Sequence, residues 1–161
     1  MVVCCGATIG ISKRKMLCEH ASFIAGMASA CEKMAAEISQ RHTPPQALFR
    51  KLSDDSTSAG KFFAAVSDKT VSSASAESVW SLLLCEYANK YALSREEISE
   101  LERVATAITG YELESAVETI TYVGRSLSSK AGELNVTAEK DGKMWLSICS
   151  AVGAVVALIL L

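Results

Sequence analysis

The chain has 161 residues, of which 50% are hydrophobic, and its 16 basic and 18 acidic side chains give a net charge of −2. This near balance, without a dense basic stripe, excludes nucleic acid as a main partner. None of the six cysteines forms a C-x-x-C pair, which disfavours a disulfide framework or zinc site and favours reduced thiols in the cytosol. Few prolines and many Ala, Glu, Lys, Leu and Ser residues favour one compact, all-α domain.

The N-terminal residues 1–12 form a short apolar segment, and Lys13, Arg14 and Lys15 follow at once. As a helix, the apolar run reaches only about 16 Å, which is too short to cross a bilayer. A signal peptide is disfavoured because the positive charge comes after the apolar run. The segment is therefore predicted to be an interfacial or truncated membrane segment.

A first apolar seam is predicted on a helix from about Met16 to Arg41. Its side chains recur at alternating three- and four-residue steps, which is typical of a coiled-coil-like packing face. The seam consists of Leu17, His20, Ile24, Met27, Cys31, Met34 and Ile38. Because His20 has no evident companion for metal binding or catalysis, we expect it near the membrane end of the bundle with its polar tip hydrated.

Four more helices are predicted in the middle of the chain. Residues 43–46 (TPPQ) open the second helix with a capping pattern, and residues 62–66 mark a short third helix. A fourth runs over about 76–92, with core spacing. The fifth begins at a capping box, Ser94 to Glu97, and Gly110 is expected to end it.

A second apolar seam follows on the sixth helix and matches the first in length and period. Its positions are Leu113, Val117, Ile120, Gly124, Leu127, Ala131, Leu134 and Ala138. The two seams are therefore predicted to be neighbours in a bundle. No proline intervenes before Met144, so the sixth helix is expected to continue into the final segment with little or no break.

The last eighteen residues, 144–161, contain no ionisable side chain. As a helix they measure about 27 Å, close to the thickness of the hydrocarbon core of a bilayer. A transmembrane helix is predicted, with a buried core helix as the alternative. Cys149, Gly153 and Ala157 place small side chains at four-residue steps, a pattern that permits close helix packing in lipid.

The positions of the basic residues predict the orientation of the chain. Lys13, Arg14 and Lys15 follow the first apolar segment, while Lys140 and Lys143 precede the second. Because basic residues are concentrated on the cytoplasmic side of membrane segments, the helical bundle of residues 13–143 is expected to be cytosolic.

No motif for catalysis or cofactor binding was found: the chain has no Gly-rich phosphate loop, H-E-x-x-H motif or nucleophile elbow. A membrane enzyme is therefore disfavoured, and neither a cofactor nor a metal is expected. The main charge asymmetry lies between Arg95 and Glu118, where seven acidic residues stand against two basic ones. This region is either a solvated helix face or a docking surface for a basic partner.

Three parts of the chain carry a resemblance to a known family. The end of the first helix, Ala36-Glu37-Ile38, is followed by residues 43–48 (TPPQAL), and residues 94–98 (SREEI) place an acidic pair at a helix start before the break at Thr109-Gly110. The tail 143–147 (KMWLS) leads to a Leu-rich end. In this order the parts resemble the stage III sporulation protein AB family of spore-forming bacteria, although that family begins with a fuller apolar segment.

The resemblance implies a six-helix bundle similar to the cytoplasmic domain of the type II secretion platform protein. It also implies a non-enzymatic protein of the channel between mother cell and forespore, located in the mother-cell membrane beside other stage III channel proteins and a secretion-type ATPase. We predict Glu37, Glu96 and Glu97 as partner contacts. The alternative is a tail-anchored helical adaptor or signalling protein unrelated to sporulation.

Overall fold

The computed structural model describes the backbone of residues 2–41, 44–72, 75–110 and 112–159, and the side chains of residues 15–41, 44–70, 75–110 and 112–137. Within these ranges the chain forms six α-helices and no strand, which confirms the all-α, six-helix prediction. The helices are α1 (Val2–Arg41), α2 (Pro45–Ser53), α3 (Ser58–Ser72), α4 (Ala76–Tyr91), α5 (Arg95–Thr109) and α6 (Leu113–Ile159).

The two long helices, α1 and α6, pack against each other as an antiparallel pair and form the main interface of the bundle. Gly124 lies against Cys31, and a Cβ atom at Gly124 would stand 3.0 Å from the Cys31 Cβ. Further along the pair, Ile38 of α1 and Val117 of α6 line one cavity. Residue numbers therefore increase along α1 in the direction in which they decrease along α6, so the two helices are antiparallel. A Cβ at Gly124 would push the Cys31 side chain by a few tenths of an ångström, so the close approach favours glycine at position 124. It confirms that the two seams are neighbours.

The inner positions of both seams are buried, as predicted. They are Ile24, Met27, Cys31, Met34 and Ile38 on α1, and Ile120, Gly124, Leu127 and Ala131 on α6. Leu17 is only half-buried, and Leu113 is largely exposed. Burial therefore weakens towards both ends of the seams, where fewer helices cover the pair.

The first helix is longer than the sequence predicted, because it begins at Val2 rather than near Met16. No proline separates the apolar segment 1–12 from the seam, so the helix has no reason to break there. α6 is likewise continuous to Ile159, as expected. At about 1.5 Å per residue the two helices measure roughly 60 and 70 Å.

Nothing in the described part of the chain is both long and apolar enough to be a membrane-spanning helix. The side chains of residues 144–161, which carry the predicted anchor, lie outside the described residues, as do those of the segment 1–12. The small-residue positions Cys149, Gly153 and Ala157 fall in the same range. The membrane anchor therefore stays a prediction.

An aromatic cluster fills the core between α1 and the shorter helices α3 and α4. The Phe62 ring meets Trp80 edge-on with centroids 4.9 Å apart, and Phe23 stacks on Tyr91 at 4.7 Å. These aromatic pairs contribute about 0.5–1.5 kcal/mol each beyond the burial of their apolar area. Because Phe23 and Tyr91 meet, the C-terminal end of α4 lies beside the first half of the seam on α1.

The predicted start of α2 is shifted by one position. Pro45 is the first helical residue, Pro44 takes the cap position without a side-chain hydrogen bond, and Thr43 lies outside the described residues. The fifth helix follows the prediction, with a capping box at Ser94 and Glu97 and its end at Thr109, before Gly110.

Candidate interaction surface

The antiparallel pair gives the bundle two ends, called here the anchor end and the far end. The anchor end comprises His20 of α1, the connection between α4 and α5, and Lys130 of α6; from here α6 continues towards the predicted anchor. The far end comprises the last turn of α1 and the first residues of α2 and α6, with the last turn of α5 beside them. Charged and polar side chains are arranged differently at these two ends.

At the anchor end, Glu97 takes part in two sets of hydrogen bonds. The Ser94 backbone N–H donates to Glu97 Oε2 at 2.7 Å, and the Glu97 N–H donates to Ser94 Oγ at 3.3 Å. In addition, His20 Nε2 lies 3.1 Å from both carboxylate oxygens of Glu97. The side chains are 12% and 5% exposed, so a buried polar pair joins α1 to the start of α5.

This pair corrects the prediction for His20. Its Nε2 faces a buried carboxylate rather than open solvent, so His20 does have a companion. The companion was missed because Glu97 lies 77 positions away in the sequence. Glu97 itself was predicted as a partner contact; its burial leaves almost no surface for one, and that role stays an untested prediction.

The next carboxylates on α5 are divided between the core and the surface. Glu100 Oε1 accepts hydrogen bonds from Ser126 Oγ at 2.8 Å and from Lys130 Nζ at 3.2 Å. Glu96 is 85% exposed and reaches Lys130 only at 3.7 Å. Of the acidic residues at the start of α5, Glu96 is therefore the one that a partner can reach directly.

The third predicted contact, Glu37, lies far from the other two. Its side chain is 19% exposed and forms ion pairs with Lys51 Nζ at 2.5 Å and with Arg41 at 3.5 Å. The rise along α1 from His20 to Glu37 is about 25 Å. The structure therefore brings Glu96 and Glu97 together at the anchor end and places Glu37 at the far end, so one small patch does not include all three.

The far end holds cavities that the sequence did not reveal. One of about 630 Å³ lies between the end of α5 and the start of α6, where polar side chains such as Glu102, Arg103 and Ser115 line it. Two more lie beside Leu113. One, of about 210 Å³, lies between Pro44, Leu48, Ile108 and Leu113. The other, of about 400 Å³, is lined by Ile38, Ser39, Leu113, Glu114, Val117 and Glu118. Leu113 and Ile38 line both. Because Leu113 fits the seam pattern, the sequence predicted it as buried, and its 47% exposure contradicts that prediction.

Among the described side chains, Cys18, Cys31 and Cys85 are free thiols, of which only Cys31 is buried. Burial, helped by the Glu32 carboxylate, raises the pKa of the Cys31 thiol from 9.0 to about 12. Cys31 is therefore a packing residue rather than a nucleophile. The described residues contain no group of three or more His, Cys, Asp or Glu side chains suited to a metal ion.

Comparison with known proteins identifies the family. The model of the family "Stage III sporulation protein AB" matches residues 1–161. A solved structure of stage III sporulation protein AB (SpoIIIAB) is similar with a TM-score of 0.62 and 19% identity, over 73% of this chain and 94% of that chain. At this identity the likeness shows the fold alone. No similar sequence was found among curated proteins. Because the family model covers the whole chain, the chain belongs to the stage III sporulation protein AB family.

Proposed function

We propose that the chain is a non-enzymatic, membrane-anchored component of the channel complex between mother cell and forespore, and that its helical bundle docks a cytosolic secretion-type ATPase. Family membership supports the role in sporulation. We further propose that the chain is part of the channel, that it is anchored in the mother-cell membrane and that it binds the ATPase.

The observation that carries the proposal is the continuity of α6. This helix packs against α1 in the bundle and extends without interruption to Ile159, through the uncharged sequence that begins at Met144. An apolar run of this length is suited to a bilayer. A continuous helix would couple the position of the bundle to the membrane, as a platform protein requires.

The basic residues support the orientation. Lys140 and Lys143 precede the apolar run and are expected on the cytoplasmic side, so the bundle would face the mother-cell cytosol. A cytosolic ATPase would then meet the bundle rather than the anchor. The predicted contacts Glu96 and Glu37 lie at opposite ends of the bundle, so binding measurements on variants at each end are needed to locate the contact.

Deletion of the gene in its source organism tests the role in sporulation. We expect development to stall after engulfment and the full-length chain to restore it. A chain that ends at Lys143 keeps only the segment 1–12 for membrane contact, so it should associate with the membrane fraction more weakly and fail to restore spore formation. Normal spore formation in the deletion strain would contradict the proposal.

Capture of the ATPase tests the docking function separately. The full-length chain, purified in detergent micelles, should retain the secretion-type ATPase encoded in the same organism. An equal amount of an unrelated helical membrane protein serves as the control. No retention above this control would sink the docking function and leave the role in sporulation unaffected.

A further inference from the structure

We propose that the far end of the bundle is the docking surface, and that it receives a basic amphipathic segment of a protein partner. The inference rests on the proposed docking function and names its site. Apolar side chains of the segment would enter the two cavities beside Leu113, while its lysine or arginine side chains would meet Glu114 and Glu118.

The floor of this surface is apolar and already formed. Ile38, Leu48 and Ile108 are buried side chains whose edges line the cavities. Leu113 stands between the cavities with 47% of its surface exposed. A large apolar residue exposed beside these cavities gains free energy when a partner covers it, because apolar area then leaves water.

The charged side chains that line these two cavities are of one sign, whereas Arg41 and Lys51 at the same end are paired with Glu37. Glu114 and Glu118 are the charged residues that line the larger cavity, and both are exposed. In the described part of the chain no ion pair was found for either. They are also four positions apart on one helix, where like charges repel. A basic partner would relieve this repulsion, which gives the surface its charge complementarity.

Other occupants fit this surface less well. Phosphate groups of lipids would be repelled by Glu114 and Glu118, and the far end lies away from the predicted anchor. A second copy of the chain in a symmetric contact would place the same carboxylates opposite each other. An amphipathic helix with apolar residues at steps of three or four and basic residues beside them satisfies both the cavities and the rim.

The anchor end offers no comparable surface, although Glu96 is exposed there. Glu97 already accepts hydrogen bonds from His20 and from the Ser94 N–H. Glu100 accepts hydrogen bonds from Ser126 and Lys130. A basic partner at that end would have to displace these donors. At the far end the carboxylates of Glu114 and Glu118 need no such exchange.

The test measures binding of the ATPase by the full-length chain in detergent micelles. The far-end variants are Leu113→Ser and Glu118→Lys; both positions are exposed, and Glu118 lies beyond the first turn of α6. The matched controls are Leu82→Ser, an exposed leucine on α4, and Glu96→Lys at the anchor end. Each far-end variant is expected to weaken binding at least about tenfold, and each control to change it less than about twofold.

The outcomes separate this inference from the function on which it rests. Loss of binding with Glu96→Lys, and not with the far-end variants, would overturn the far-end site while the docking function stands. Loss in all four variants would also overturn it, since no single surface would then be specific. Circular dichroism of each variant shows whether a loss reflects unfolding; Glu118→Lys is the variant least expected to unfold.

If the wild-type chain binds no ATPase, the docking function fails and a peptide probe decides the site alone. The probe is a synthetic helical peptide of about 15 residues with leucines at steps of three or four and lysines beside them. Two results together support the site. The lysine peptide binds the wild-type chain more tightly than the Glu118→Lys variant, and the same peptide with glutamate in place of lysine does not bind. Equal binding of both peptides, or no binding of either, would overturn it.

Discussion

The two ends of the bundle differ in what happens to their acidic side chains. At the anchor end, Glu97 and Glu100 are drawn into the interior and bonded to partners on α1 and α6. At the far end, Glu114 and Glu118 remain exposed beside apolar cavities. The same residue type therefore joins helices at one end and leaves a surface open for binding at the other.

This difference shows that charge density in a sequence does not indicate which carboxylates remain accessible. In the adjacent acidic pair Glu96-Glu97, the Glu97 carboxylate is buried, where it caps α5 and contacts His20. Such a pair stabilises the start of α5 and joins it to α1. The less dense acids on α6 keep their carboxylates accessible, and a binding function depends on access.

The largest expected effect concerns Cys31, in the seam that runs between the two ends. With its pKa raised from 9.0 to about 12 by burial and by Glu32, almost no thiolate exists at pH 8. A thiol reagent should modify it roughly a thousandfold more slowly than the exposed Cys18 and Cys85. Mass spectrometry of tryptic peptides after timed labelling measures the ratio, with the urea-unfolded chain as the control.

The pH dependence of Cys31 has a defined sign. Above about pH 9 the unfolded chain ionises this thiol while the folded chain keeps its proton. Stability should therefore fall as pH rises between about 9 and about 12, by at most about 1.4 kcal/mol per pH unit. The Cys31→Ala variant should lose this part of the dependence; an identical pH profile in both chains would show that Cys31 is accessible to solvent.

At the anchor end, Glu97→Ala should destabilise the fold by about 3 kcal/mol. The change removes a helix cap and leaves His20 buried without its carboxylate. Thermal unfolding of the full chain in detergent measures the loss. Glu102→Ala, an exposed position on the same helix, is the control and should cost less than about 0.5 kcal/mol; equal losses would mean that the buried pair does not stabilise this end.

In the seam, Gly124→Val should cost about 2 kcal/mol. A side chain at this position meets the Cys31 Cβ, which lies on a packed helix and has little room to move. Gly132→Ala on the same helix is the matched control, because an added Cβ there has nothing within 4 Å. That change should stabilise the helix by about 0.5–1 kcal/mol. Opposite signs in unfolding experiments test the close approach of α1 and α6.

The smallest expected effect lies at the far end. Glu118→Lys converts a repulsive pair with Glu114 into an attractive one at the favourable i,i+4 order, and should stabilise the chain by about 0.5 kcal/mol. If the far end is a docking surface, the same variant loses binding while it gains stability. A loss of stability above about 1 kcal/mol would show that Glu118 supports the fold, and the contrast between the ends would fail.

Much of the fold could be predicted from the sequence, because the periodicity of apolar residues depends on local helix geometry. The seam from Ile24 to Ile38 and the capping box at Ser94 followed directly from spacing and residue type. The start of α1 at Val2 did not follow from the seam, because the seam marks only the packed part of the helix and no proline interrupts residues 2–41.

The candidate site was less predictable. The contact between His20 and Glu97 spans 77 positions, and no local pattern indicates it. The exposure of Leu113 was missed for a related reason: its spacing fits the seam, but the described helices leave 47% of it exposed at this end of the pair. A leucine in the first turn of a helix, directly after a Gly-containing break, is the one signal that could have indicated this.

By itself, the sequence determined the helix content, the pairing of the two seams and the family, since these depend on residue spacing and on motifs that survive divergence. Only the tertiary structure decided which carboxylates are buried and which are free. That division depends on the antiparallel packing of α1 and α6 and on the packing of α5 against α6. The start of α5 thereby comes within hydrogen-bond distance of α1 at one end, while Glu114 and Glu118 stay exposed at the other.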